Sequence, residues 1–113
     1  MAITNATIGS SSAAIYTSSG NNAITTVIVC NTALFDPANP TTGQTNLYLY
    51  AVPSGGSSSS PAANTIIVNA LPIPAGETVS FDQEKLVLAN GDMLVAKSDV
   101  PTNLVATIST LAV

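Results

Sequence analysis

Between Ala63 and Lys97 the chain falls into short apolar runs separated by residues that end regular structure, and this rhythm dictates an all-β fold. Asn64 to Leu71 is rich in β-branched side chains and runs into Pro72, Ile73 and Pro74. Neither proline can donate a ladder hydrogen bond, so the strand is expected to turn there. Glu77 to Phe81 alternates with period two, Val79 and Phe81 on one side and Thr78 and Ser80 on the other. Leu86–Ala89, then Asn90-Gly91, then Asp92–Ala96 has the pattern of a hairpin. Asn-Gly is the pair that best accepts the positive φ angles of a two-residue type I′ turn.

The same rhythm runs through the rest of the chain. Ile3–Ile8 and Ala13–Thr17 read as short strands, followed by turn chemistry in Ser18–Asn22. Ala23–Asn31 is the strongest strand of the first half. Ile24, Thr26, Ile28 and Cys30 fall on one face, and Thr25, Val27, Val29 and Asn31 on the other. Both faces carry apolar residues, which predicts a central strand with Cys30 acting as a small hydrophobe. Residues 34–45 hold Asp36-Pro37 and Asn39-Pro40, two steps that forbid a central strand and predict an exposed loop. In Thr45–Val52, Leu47 and Leu49 fall on one face and Tyr48 and Tyr50 on the other, so both faces need cover, from a second layer or a partner. Pro53–Pro61 reads as a flexible, low-complexity connection. Leu104–Leu111 closes the chain as a strand. The expectation is an antiparallel β-sandwich of seven to nine short strands, jelly-roll or immunoglobulin-like, over residues 13–113, with residues 1–12 as an N-terminal arm or edge strand.

A chain of 113 residues has room for one core. Apolar residues make up 46%, but charged residues only 7%, against roughly 25% in an average soluble domain. Disorder does not account for this, since disordered chains are rich in charge and poor in β-branched residues. No apolar run approaches the ~18 residues of a spanning helix, and five aromatic residues cannot furnish the girdles of a membrane barrel. Neither membrane insertion nor binding to nucleic acid is therefore expected, the latter because the net charge is −4 with Lys85 and Lys97 the two cations. A surface so depleted in charge is expected to be solvated by Ser, Thr and Asn or covered by neighbouring subunits, and the two can hold together. The N-terminus has no basic and apolar signal pattern, and one cysteine forms no internal disulfide.

Catalytic chemistry lacks its usual carriers. There is no histidine, which removes imidazole dyads and His-ligated metals, and the single Cys30 removes thiolate clusters. Asp82 or Glu84 with Asp92 is the one carboxylate pairing available to a glycosidase, and these residues read instead as solvated strand ends. Neither a phosphate-binding glycine motif nor a calcium loop is present. No enzyme, catalytic residue, metal or cofactor is expected. The contact residues to expect are Tyr48 and Tyr50, with Phe35 and Asp36 in the proline-rich loop.

Several phrases in order resemble the short β-sandwich structural proteins of tailed bacteriophages. They are Ala14–Thr17, Thr26–Thr32, Tyr50–Gly56, Ile73–Phe81 and Leu86–Asp92, spanning about residues 14–97. The resemblance implies a non-enzymatic virion component. Foremost is a capsid cement (decoration) protein, made in the host cytoplasm and carried on the capsid surface. Its implied partners are the major capsid protein and further copies of itself, as a dimer or trimer. A tail, neck or fibre protein, or a module binding a host-surface glycan, is the alternative. The chain departs from the pattern in residues 36–43 and 57–60.

Overall fold

The computed structural model describes residues 2–82 and 85–113. They form nine strands: β1 (Ala2–Ile8), β2 (Ala13–Thr17), β3 (Asn22–Asn31), β4 (Thr45–Val52), β5 (Ile66–Ile73), β6 (Thr78–Phe81), β7 (Leu86–Leu88), β8 (Met93–Ser98) and β9 (Leu104–Ala112). A single 3₁₀ turn, Ala63–Thr65, precedes β5. The all-β antiparallel sandwich expected from the sequence is the fold observed.

One sheet runs β1-β9-β3-β6, with β7 also paired to β3, and the other runs β2-β8-β4-β5. The pairings are nested. β4 pairs with β5, β3 with β6 and β7, β2 with β8, and β1 with β9. The chain is thus one long hairpin, folded at residues 53–65 and then rolled so that β3 meets β9 and β4 meets β8. That wrapping is the jelly roll, the first of the two sandwich types foreseen, with β6 and β7 sharing one strand position along β3. The core lies between the sheets, where Ile8, Val29, Leu104 and Ile108 face Leu47, Leu49, Ile73 and Leu94.

Four local features differ from expectation. The run Leu86–Ala96 is not a hairpin, because β7 belongs to one sheet and β8 to the other. Asn90-Gly91 instead makes the corner between sheets. Asp92 N donates to Ala89 O at 3.1 Å, and only Gly91 of the central pair has positive φ (90°), the type II pattern and not type I′. The corner is tied down by Gly91 N to Ser18 O (2.8 Å) and by Gly20 N to the Asn90 side chain (2.9 Å). Second, β5 continues through Pro72 to Ile73. It is an edge strand, so the N–H that proline lacks has no ladder partner to lose. Third, a bulge in β3 between Ile24 and Thr26 shifts its phase. Ile24 therefore joins Val27, Val29 and Asn31 on the buried face, while Ile28 turns outward. β3 is nonetheless interior, as expected.

Fourth, the serine-rich segment after β4 is not a loose connection. Gly56 N donates to Pro53 O at 3.0 Å, Ser60 N to the Ser57 hydroxyl at 3.0 Å, and Ser54 N to the Asp92 carboxylate at 2.8 Å. A Cβ on Gly56 would stand 2.5 Å from Val52 Cγ1, so only glycine lets the backbone lie against that side chain. The segment thereby helps to shelter a second apolar cluster of Tyr50, Val52 and Val95 on the outer face of β4 and β8.

Gly91→Ala should destabilise the protein by about 1–2 kcal/mol, because a side chain is strained at positive φ. The new Cβ would also stand 2.6 Å from the Ser54 hydroxyl oxygen. Urea unfolding measures this; a loss under about 0.5 kcal/mol would mean that the corner relaxes freely.

Candidate functional site

The end of the sandwich where β3 leads into β4 presents the most conspicuous exposed apolar pair of the chain. Leu34 is 90% and Phe35 53% exposed, adjacent in a loop between two strands whose inward residues are fully buried. The loop is compact. Successive turns close through Asn39 N to Asp36 O (3.1 Å), Thr42 N to Asn39 O (2.9 Å) and Gln44 N to Thr41 O (3.2 Å). The Asp36 carboxylate accepts from Ala38 N at 3.0 Å, the Asx turn that an aspartate before proline favours.

Asn31, the last residue of β3, fixes the base of this loop. It is wholly buried. Its side-chain NH₂ donates to the carbonyls of Gly43 and Ile73, both at 2.8 Å, and its side-chain oxygen accepts from Ala33 N at 3.0 Å. Its backbone N–H donates to Glu77 O (2.9 Å) and its carbonyl accepts from Gly76 N (3.1 Å). One residue thus joins both ends of the 33–43 loop to the 74–77 turn. Gly43, at φ 80°, has no space for a side chain, since a Cβ would lie 2.9 Å from that of Ala33. Thr45 and Asn103 extend the network: Asn103 Nδ2 donates to Thr45 Oγ1 (3.1 Å), and Asn103 O accepts from Thr32 N (2.8 Å). Leu34 and Phe35 are therefore carried on a braced platform, with Phe35 beside the Gly76 turn.

The other expected contact residues are placed differently. Tyr50 is buried in the cluster with Val52 and Val95, so its ring is covered within the chain and not presented to a partner. Tyr48 is half-buried, with Lys97 Nζ 4.6 Å from its ring centroid, a cation–π contact. Asp36 is half-buried and shapes the loop beside Phe35. Sequence reasoning passed over two residues, Leu34 and Asn31. The signal for Asn31 was its place in phase with Val27 and Val29, where an amide needs partners.

Asp92 and Asp99, like Asp36, serve the backbone. Asp92 accepts from Ser54 N (2.8 Å) and Ala89 N (2.9 Å), and Asp99 from Asn46 N (2.8 Å). Asp82 is exposed, and Glu84 lies outside the described residues. Among the described residues no three His, Cys, Asp or Glu side chains gather as a metal site would require. A cleft of about 320 Å³ opens between the sheets near β5 and the β6–β7 position, floored by Ile24, Val27, Leu49 and Leu94 with Ile67 and Phe81 nearby. The side chains that line it among the described residues are all apolar, with no acid, base or nucleophile.

No protein-family model matches the chain, and comparison with curated proteins and with solved structures yields no match either.

Asn31→Ala should cost about 3 kcal/mol or more, because it leaves buried carbonyls of Gly43 and Ile73 without their donors. Leu34→Ser with Phe35→Ser should leave stability within about 0.5 kcal/mol of the parent, as expected of exposed side chains. Parallel denaturant titrations of the two variants test both statements. A large loss in the double variant would make the tip part of the fold and not a free surface.

Proposed function

We propose that this protein is a non-enzymatic structural component of a tailed-bacteriophage particle, a cement protein that docks on the assembled capsid and bridges its subunits. The observation that carries the reading is the exposed Leu34–Phe35 pair on a loop locked by Asn31. An apolar tip on a mobile loop loses much of its binding energy to ordering, whereas a braced one is ready to seat in a recess. Burying both side chains contributes about 3–5 kcal/mol, a modest contact that repetition over a symmetric shell multiplies.

Three further features agree with it. The charged fraction of 7% suits a surface that meets neighbours. The ordered phrases between residues 14 and 97 resemble virion sandwich proteins, and the jelly roll is a fold used by capsid proteins, an analogy of fold and not of site. A protein that binds the assembled shell and not its free subunits stabilises the shell by linkage. Docking on the major capsid protein needs no cofactor, and the surface location follows from that role.

Quantitative mass spectrometry of purified particles, scaled to the major capsid protein, tests the proposal. A simple ratio giving hundreds of copies is expected. A handful of copies would move the chain to the tail or neck, and complete absence would overturn the virion reading in favour of a glycan-binding module. Recombinant protein should also rebind particles stripped of it, and Leu34→Ser with Phe35→Ser should weaken that rebinding at least about tenfold, while Tyr48→Ser should change it far less.

A further inference from the structure

An exposed sheet edge offers backbone N–H and C=O groups to any strand that meets it, and folded chains block such edges with proline, bulges, charge or brevity. Four edges border the two sheets here, and three are blocked. β5 contains Pro72 and is bulged around Ala70, which sits at φ 53°. β2 is five residues long and bulged between Ala14 and Tyr16. The β6–β7 edge is made of two pieces of four and three residues, with Asp82 and Lys85 in the sequence between them. β1 has none of these devices. Its seven residues hold no proline and no charge, and it pairs with β9 in unbroken register from Ala2 to Ile8.

We propose that β1 is a self-association edge, which pairs antiparallel with β1 of a second copy about a two-fold axis at Asn5. The occupant follows from the edges themselves. A second copy has one unblocked edge to offer, and that edge is β1, so the contact is isologous and closes at two. Charge allows it. The chain carries a net −4, yet β1 and its neighbour β9 are uncharged, so no like charges face each other across the junction. The side-chain phase also allows it. Pairing centred on Asn5 sets Thr4 opposite Ala6 and Ile3 opposite Thr7 of the other copy. Core-side residues then meet core-side residues, and the outward row meets the outward row. Ile3, 70% exposed in the single chain, gains a cross-strand neighbour. This inference stands apart from the capsid reading and holds for the isolated protein.

Light scattering coupled to size exclusion on the full chain should give twice the 11.3 kDa monomer mass. Asn5 is exposed and its side chain accepts one surface hydrogen bond, from Thr107 at 3.1 Å, so substitution there spares the fold. Asn5→Lys places two cations opposite each other and should raise the dimer dissociation constant at least about tenfold with an unchanged circular dichroism spectrum. Asn5→Cys in a Cys30→Ser background should form an inter-chain disulfide on mild oxidation, because directly opposed residues in an antiparallel pair lie within disulfide range. A monomer at high micromolar concentration, a trimer, or a dimer that tolerates Asn5→Lys would each overturn the proposal. So would a dimer in which Asn5→Cys fails to cross-link.

Discussion

Two pairings, β9 on β3 and β8 on β4, turn this chain from a hairpin into a folded domain. Without them each strand would have only its mirror partner, and the apolar face of the long hairpin would stay in water. Rolling closes that face on itself and lets Val29, Leu104 and Ile108 meet Leu47, Leu49 and Leu94. The hydrophobic gain is shared among strands from both halves of the chain, so neither half buries its own face alone. It also explains why the two interior strands of each sheet, β9 with β3 and β8 with β4, supply most of the fully buried side chains.

Where the sandwich ends, the chain must satisfy backbone groups with very few ions. Asp36, Asp92 and Asp99 each accept hydrogen bonds from backbone N–H groups and so serve as turn ties. Asn31 does the same work from inside, where a charge would be costly, and an amide can both donate and accept. Every polar atom of its side chain has a partner, which is the condition for a buried polar group to organise its surroundings without destabilising them. The consequence is local. Loops at that end are held at their bases, and their apolar tips are exposed for reasons other than slack.

Strand positions were legible because period two and β-branched composition report local geometry. Ala13–Thr17 and Thr45–Val52 were read from sequence with the bounds observed. Partnership was less legible, since it depends on residues far apart. Asn90-Gly91 suits a corner as well as a hairpin, and only the pairing of β7 with β3 decides between them. The bulge beside Thr25 is equally silent in the sequence, yet it moves Ile24 into phase with Val27 and reassigns a face. Tyr50 shows the same limit for the candidate site. Its face does need cover, as the alternation implied, but the cover comes from within the chain, from Val52, Val95, Ile66 and Met93, with Gly56 of the serine- and glycine-rich segment lying against Val52. Phe35 was legible because prolines force a loop to the surface, and the bracing by Asn31 was not, because its side-chain partners lie up to 42 residues away.

Edges and tips serve different kinds of contact. A sheet edge recognises a strand through its backbone and is nearly blind to side chains, so a chain that must not aggregate leaves open only an edge with a self-limiting partner. β1 meets that condition when it pairs with itself, because a two-fold contact uses up both edges. The proposed Leu34–Phe35 contact would instead recognise shape and apolar surface. A dimer through β1 would carry two such tips on one rigid body, so once one is seated on a shell the second binds from an effective concentration fixed by the dimer. Weak tips and a closed dimer then suit one task together, since a monovalent tip of about 3–5 kcal/mol holds only at high concentration and a divalent one holds at low.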